Sequence, residues 1–365
     1  MKNVTMILLG VLILASCKKK SEEQPAETGE PVSVTTRAVK SDLRQPWSVV
    51  FGADNMLWVT ERGGRLLRID PASGNSTEVA GMPTDVRQNG EGGLLGLVLH
   101  PDFPSDPRIF FAYDYDRAGV YTGKIVSYTW QNNRLSNGRT LVDQIPAAGN
   151  HNGARLAFGA DKTLYFTTGD AARADNAQDP QSLSGKIMRI NADGSIPADN
   201  PTAGSPVYSL GHRNPQGLVW VGNTLFSSEH GDDTDDEINI IEAGRNYGWP
   251  NVRGKCEGGE TAFCSEKNVA EPIYTWTPTV APSGMTFYNG DLIPQWKNSL
   301  LLTTLKGSRL FLLKLNAGQT GIAEVKELFN GEFGRLRDVC VAPDGRVFII
   351  SGNGAGDRLI EVSAK

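Results

Sequence analysis

Residues 56–70 read MLWVTERGGRLLRID: two short apolar runs separated by a polar, glycine-containing interruption, the second run carrying basic residues. Runs this short, broken by Gly-Gly and rich in β-formers, read as two antiparallel strands joined by a tight turn. The phrase returns five times. It appears as RIFFAYDY before GKIVSYTW, TLYFTTGD before GKIMRIN, TLFSSEHG before DEINIIE, SLLLTTLKGSRLFLLKL, and RVFIISGNGAGDRLIEV. Counted from Leu57 through Ile109, Leu164, Leu225, Leu300 and Val347, the spacings are 52, 55, 61, 75 and 47 residues. No segment between them keeps a helical period for long. A supersecondary unit of roughly 40–50 residues, lengthened by insertions and repeated six times, is the signature of blades arranged around a channel. The expected fold is all-β: a six-bladed β-propeller with four-stranded antiparallel blades.

The composition agrees. Among 365 residues, 41 glycines and 20 prolines favour turns over long helices, and 39% hydrophobic content supplies a core for one large domain. Basic and acidic residues number 36 and 41, for a net charge of -5, which argues against a nucleic-acid footprint and for a small-molecule-facing surface. Lys2, an apolar run from about Val4 to Leu14, and LASC ending at Cys17 form a segment too short to span a bilayer. Residues 1–17 therefore read as a signal peptide whose last four residues resemble the bacterial lipoprotein cleavage box, with Cys17 as the lipidated new N-terminus. Residues 18–34 are charged and lack aromatics, as a flexible tether would, and the propeller is expected over 35–365. The expectation is an exported bacterial lipoprotein, facing the periplasm or the cell surface. It would touch membrane only through its lipid, and a homodimer is left open. Cys256 and Cys264, eight apart in a glycine-rich loop, suit a local disulfide better than a metal pair. Cys340, in the alternating run RDVCVAP, suits a buried, inert thiol.

The chain has four histidines, and His151 lies in AGNHNGARL (148–156), between two asparagines and two glycines. Taken alone, a histidine in a turn is a solvated loop residue; its company decides otherwise. Strands alternate direction within a blade, so the turn entering a first strand and the turn leaving a second strand fall at the same end. His151, GHRNPQGL (211–218) and FGRLRDVCVAP (333–343) belong to entering turns, while TTGD, SSEHGDD and TTLKGS belong to leaving turns. That end gathers His151, Asp170, Arg213, Asn214, Glu229, His230, Asp232, Lys306, Arg335 and Arg337. Four cations at one mouth call for a ligand with several carboxylates or phosphates. The acidic run GDDTDDE (231–237) lacks the glycine position and spacing of an EF-hand. Neither a nucleophile elbow, a zincin motif, a P-loop nor a dinucleotide fingerprint competes.

Seven motifs carry a family resemblance. GLLGLVLHPDF (93–103), HNGARLAFG (151–159), LSGKIMRINADGSIPADNP (183–201), LGHRNPQGL (210–218), DDEINIIEAGRNYGWP (235–250), PTVAPSGMTFY (278–288) and RLRDV (335–339) are similar, in order, to the soluble pyrroloquinoline-quinone (PQQ)-dependent sugar dehydrogenases. These are the quinoprotein glucose and aldose dehydrogenases of the glucose/sorbosone dehydrogenase type, and the likeness runs from about residue 45 to 362. It implies a six-bladed propeller that oxidises the C1 hydroxyl of aldose sugars to lactones by hydride transfer to Ca2+-bound PQQ, passing electrons to an external acceptor. It further implies that His151 is the general base and that Arg213 stabilises charge on the quinone carbonyl. Asn214, Lys306, Arg335 and Arg337 would hold the cofactor's carboxylates and quinone edge. Backbone carbonyls at Gly231 and Asp232 would bind Ca2+. Asp170 would be an acid touching cofactor and sugar, and Trp276 an aromatic stacked beside both. Glu91 stands at the sugar where the family has Gln; Asn150 and Asp232 replace an Asp and a Pro, so the differences fall on sugar preference and Ca2+ geometry. Two rivals fit less well. A binding module of the same fold has no use for a base among four cations, and a Ca2+-dependent lactonase would draw carboxylate ligands from several blades.

Overall fold

The structure, a computed structural model, describes Met1 and residues 31–365. The signal segment, Cys17 and the tether as far as Glu30 lie outside the described residues. Six four-stranded sheets follow one another along the chain. Blade 1 comprises Pro46–Phe51, Leu57–Glu61, Arg65–Ile69 and Ser76–Glu78; blade 2, Leu94–Leu99, Arg108–Arg117, Val120–Gln131 and Arg134–Pro146. Blade 3 comprises Leu156–Phe158, Thr163–Thr168, Lys186–Asn191 and Val207–Leu210; blade 4, Pro215–Val221, Thr224–Glu229, Asp236–Ile241 and Tyr274–Trp276. Blade 5 comprises Pro282–Tyr288, Ser299–Thr304, Leu310–Leu315 and Ile322–Leu328; blade 6, Leu336–Val341, Val347–Ser351, Asp357–Ala364 and, from the other end of the chain, Val34–Leu43. Each first strand packs against the first strands of both neighbouring blades, so the six form a closed inner ring.

The six residues from which the repeat was counted all lie on second strands. Those strands read as continuous apolar runs because a blade is covered on both faces by its neighbours. Leu57–Glu61 and Thr163–Thr168 are buried at every position. Trp58, Phe111, Tyr113 and Val126 fill the seam between blades 1 and 2, and Phe110, Leu164, Phe166 and Met188 the seam between blades 2 and 3. Each such side chain, fully withdrawn from water, contributes about 1.5–3 kcal/mol.

The ring closes by hydrogen bonding. Val34–Leu43 pairs antiparallel with Asp357–Ala364, with Val34 opposite Ala364 and Arg37 opposite Glu361. The strand starts at Val34, one residue ahead of the expected boundary at 35, and the Gln295 side chain bonds both the N–H and the carbonyl of Val32 at 3.3 and 2.7 Å. Among the described residues no helix is long and apolar enough to cross a membrane.

One departure from the repeat shapes the site. Between the third and outer strands of blade 4, residues 242–273 leave the blade, which accounts for the 75-residue spacing. Asn246 bridges Leu210, at the end of blade 3, and Val269. A turn between third and outer strands belongs at the end away from the mouth, yet this excursion climbs the flank to reach it. The short helix Thr261–Lys267 and the Cys256–Cys264 disulfide, S–S 2.10 Å, lie within it. Cys340 is a free, half-buried thiol whose pKa burial pushes well above its ordinary value, with Asp338 adding to the shift. That environment suits an inert residue.

Candidate active site

The loop carrying His151 is held against the turn after Thr168 by close backbone contact. A Cβ on Gly153 would lie 2.7 Å from the Gly169 nitrogen, and one on Gly169 would lie 1.9 Å from the His151 carbonyl. His151 itself adopts φ 57°, a left-handed conformation that a non-glycine residue keeps only when its surroundings impose it. The surroundings are visible. Asp170 Oδ1 lies 2.8 Å from His151 Nδ1, its Oδ2 accepts the Trp249 Nε1–H at 2.9 Å, and the Ala172 N–H donates to Oδ1 at 2.8 Å. A ring nitrogen facing a carboxylate carries the proton, so Nε2 is left as a lone-pair acceptor with no hydrogen-bond partner among the described residues.

Around this base lie the cations. Arg213 donates its backbone N–H to Glu229, and its guanidinium sits 5.2 Å over the Trp249 ring. Glu229 also engages His212 Nδ1 at 2.8 Å, and His212 Nε2 meets Ser209 Oγ at 2.8 Å. His212 is thus a structural support for Glu229. Asn214 Oδ1 accepts the Gly153 N–H at 3.1 Å. Three buried nitrogens in this group have no hydrogen-bond partner among the described residues: Arg213 Nε, Asn214 Nδ2 and His230 Nε2. Burial, then the Arg337 charge, pushes the His230 pKa down to about 3, so this ring is neutral.

Arg337 donates to Gln216 Oε1 at 2.9 Å and is half-buried. Desolvation pushes its pKa down to about 10; Glu91 opposes the shift, while Arg62, Arg335 and Arg155 add to it. Arg335 is exposed, its N–H bonded to Asn353 Oδ1 at 2.9 Å, and the Lys306 ammonium donates to Thr279 Oγ1 at 2.7 Å. Glu91 is exposed beside the cluster, its N–H bonded to the Gly149 carbonyl at 2.6 Å. On the blade 4 side, Asp236 Oδ1 accepts the Gly231 N–H at 2.8 Å while its Oδ2 accepts Val280 and Ala281 N–H groups at 2.5 and 2.7 Å. Asp232 is paired with Arg253 at 2.9 Å. Glu237 faces Glu229 across the second and third strands; burial first, then that neighbouring carboxylate, raises its pKa.

Residues 43–361 match the glucose/sorbosone dehydrogenase family. The chain belongs to that family. The aldose sugar dehydrogenase YliI of Escherichia coli K12 is 34% identical over 354 residues, covering 92% of this chain and 94% of its own length. The quinoprotein glucose dehydrogenase B of Acinetobacter calcoaceticus is 31% identical over 410 residues, covering 88% and 86%. The PQQ-bound form of aldose sugar dehydrogenase from Streptomyces coelicolor superposes with a TM-score of 0.80 at 34% identity, covering 92% of this chain and 100% of that one.

For this family member the structure gathers His151, Arg213, Asn214, Glu91, Arg335 and Arg337 at one mouth, with Lys306, Gly231 and Asp232 on its blade 4 and 5 side. Two expected roles change. Trp276 is not a stacking platform: it lies on the outer strand of blade 4, 9% exposed, enclosed by Tyr274 and Phe311 at 4.7 and 5.3 Å. Asp170 is 1% exposed with both oxygens engaged, so it positions His151 and touches neither cofactor nor sugar. Two residues were not foreseen. Trp249 comes from the excursion; it lies inside the family motif DDEINIIEAGRNYGWP, but no role was assigned to it from the sequence. Arg62, in the blade 1 turn ERGG, reads locally as a turn residue; its guanidinium bonds the carbonyls of Gly90 and Gly92.

Asp170→Asn tests the positioning role. The amide can present its N–H to Nδ1 and reverse the tautomer, so kcat is expected to fall about 10- to 100-fold, with PQQ affinity unchanged. Equal losses in kcat and in PQQ binding would instead make Asp170 a scaffold residue.

Proposed function

We propose that this protein oxidises the C1 hydroxyl of an aldose to the corresponding lactone, using PQQ with Ca2+, and hands the electrons to an acceptor outside the chain. The observation that carries the reading is the set of unpartnered, buried donors on Arg213 and Asn214 beside a histidine held as a base. Buried N–H groups without acceptors are costly, so such a set suits a ligand that brings oxygen acceptors. PQQ, a flat tricarboxylate quinone, fits that chemistry and would offset the mutual repulsion of Arg213, Arg335, Arg337 and Lys306.

When bound, PQQ supplies an electrophilic carbonyl carbon that accepts two electrons as hydride. The protein does the rest. His151 Nε2 takes the proton from the sugar's O1 as the C1 hydrogen departs, which leaves the C1–O1 double bond of the lactone. Asp170 stabilises the resulting imidazolium, and Arg213, held by Glu229 and Trp249, would supply positive charge to the quinone as it takes up electrons. In the turn at Gly231 the chain folds its carbonyls inward, since an added Cβ would lie 1.8 Å from the Thr234 oxygen and 2.7 Å from that of Asp235. Backbone carbonyl oxygens suit Ca2+, and those of Gly231 and Asp232 in this turn, which the family resemblance assigns to the ion, would hold it.

Purified protein given PQQ and Ca2+ is expected to show the quinone absorption change to its reduced form on addition of an aldose. No change across a broad sugar panel would sink the reading. Chelation of Ca2+ should weaken PQQ retention, and added Ca2+ should restore it. The apolar segment ending at Cys17 supports export as a lipoprotein; lipid labelling lost in Cys17→Ser would test that.

A further inference from the structure

Blade 2 differs from the others in the length of its strands. Its second and third strands run 10 and 12 residues, against 6 and 6 in blade 3, so the hairpin tip at Ala118–Gly119 projects at the mouth end. Between this hairpin and the chain leading to His151 lies an open cleft of about 610 Å³, within the range of small-molecule sites. Arg117, Val120 and Tyr121 line it from the hairpin, Gln144 and Ala148 from the approach to His151, and Arg173 from the turn after Asp170. The cleft adjoins the catalytic base on both walls. Asn152 Oδ1 accepts the Ala148 N–H at 2.9 Å, and Ala171, also in the lining, donates its N–H to the His151 carbonyl at 3.1 Å.

Three features of the lining point to one kind of ligand. First, it holds two guanidiniums and no carboxylate. Many arginines elsewhere are ion-paired, including Arg65, Arg68, Arg108, Arg189 and Arg346, whereas those of Arg117 and Arg173 have neither an ion pair nor a hydrogen bond among the described residues. Second, the Tyr121 hydroxyl is fixed by Asp114 Oδ2 and the Arg87 carbonyl, both at 3.2 Å, which sets its ring as a rigid wall. Third, Ala118, Gln144 and Ala171 all hold positive φ, between 49° and 59°, so the shape is imposed against local preference at three non-glycine positions. An aromatic wall suits the apolar face of a pyranose, and unpaired guanidiniums suit a carboxylate.

We propose that this cleft is a second saccharide subsite, selective for a unit bearing a carboxylate, and that the preferred substrate is an acidic oligosaccharide oxidised at its reducing-end aldose. The inference rests on the dehydrogenase reading above. A reducing sugar seated at His151 would extend its second unit over Tyr121, with the uronate between Arg117 and Arg173. A monosaccharide does not reach the cleft.

The experiment compares glucose, cellobiose and the cellobiose analogue whose non-reducing unit carries a C6 carboxylate, on wild type and on Arg117→Ala/Arg173→Ala. The uronate disaccharide is expected to exceed cellobiose in kcat/KM by about tenfold at low salt, the scale of one charge-assisted contact. In the double variant that advantage disappears, while glucose kinetics stay within about twofold. Calorimetric titration of the cofactor-free protein supplies a readout independent of turnover, with uronate disaccharide binding lost in the variant. A uronate analogue no better than cellobiose, or a variant that loses glucose and uronate activity together, overturns the proposal. Free glucuronate competing as well as the disaccharide would show a site for unattached anions and also overturn it. Arginine-dependent binding in a protein that oxidises no aldose would uphold the subsite while sinking the dehydrogenase reading.

Discussion

Replacing His151 with alanine is expected to lower kcat for aldoses by about a hundred- to ten-thousandfold, the range for loss of a general base, with PQQ affinity unchanged within about threefold. The separation follows from the geometry. The donors suited to the quinone's carboxylates belong to Arg213, Asn214, Lys306, Arg335 and Arg337, and none of them bonds His151. Folding should suffer little: Asp170 Oδ1 loses one partner but keeps the Ala172 N–H, and the Trp249 bond to Oδ2 is untouched. A loss near 1 kcal/mol in unfolding free energy covers one missing hydrogen bond. The measurement is steady-state turnover beside a PQQ titration on the same preparation. If kcat falls less than tenfold, another group takes the proton, and the tautomer imposed by Asp170 loses its catalytic meaning.

How far the fold and site could be read in advance depended on which residues face other blades. Second strands were legible because both their faces are buried, as at Leu57–Glu61, where no position is left to solvent. Outer strands were not: Ser76–Glu78 is exposed throughout, and Val34–Leu43 exposes or half-exposes eight of its ten positions, so nothing in VTTRAVKSDL announces that it closes the ring. The mouth followed from strand direction alone, which is why the turns after 168, 229 and 304 and those before 156, 215 and 336 were placed together correctly. Trp276 was expected beside sugar and cofactor because the family resemblance implies it, but an outer-strand side chain packs into the seam between blades, as this one does on Phe311. Trp249 takes the place beside Arg213 because an excursion escapes the rule that assigns turns to ends. Asp170 shows a different limit: sequence places an acid near a base, and only its two engaged oxygens separate orienting from touching.

The second large effect is expected from the double variant Arg335→Ala/Arg337→Ala, in opposite directions for two observables. Two charge-assisted contacts, each about 1.5–3 kcal/mol, should weaken PQQ binding by about a hundredfold to ten-thousandfold. The cofactor-free protein should become more stable. Arg337 is a base whose folded pKa, about 10, lies below its ordinary value through desolvation, with Arg62, Arg335 and Arg155 adding to the shift against Glu91. Folding therefore disfavours its charged form. The penalty is fully present below the folded value and fades as pH rises through it toward the unfolded value. An enclosed group shifted that far would cost a few kcal/mol, but Arg337 is only half-buried, and solvent screening trims the cost to ~1 kcal/mol. Loss of its bond to Gln216 Oε1 offsets part of the gain, so apo Tm at neutral pH should rise by ~2 °C at most. With PQQ bound the sign reverses, since the variant forfeits the ligand's linkage stabilisation. Arginines that only brace the inner ring would behave the other way, lowering apo Tm and leaving PQQ affinity alone. Thermal melts with and without PQQ on one pair of proteins separate the two, and a destabilised apo variant with unchanged affinity would remove Arg335 and Arg337 from the cofactor site.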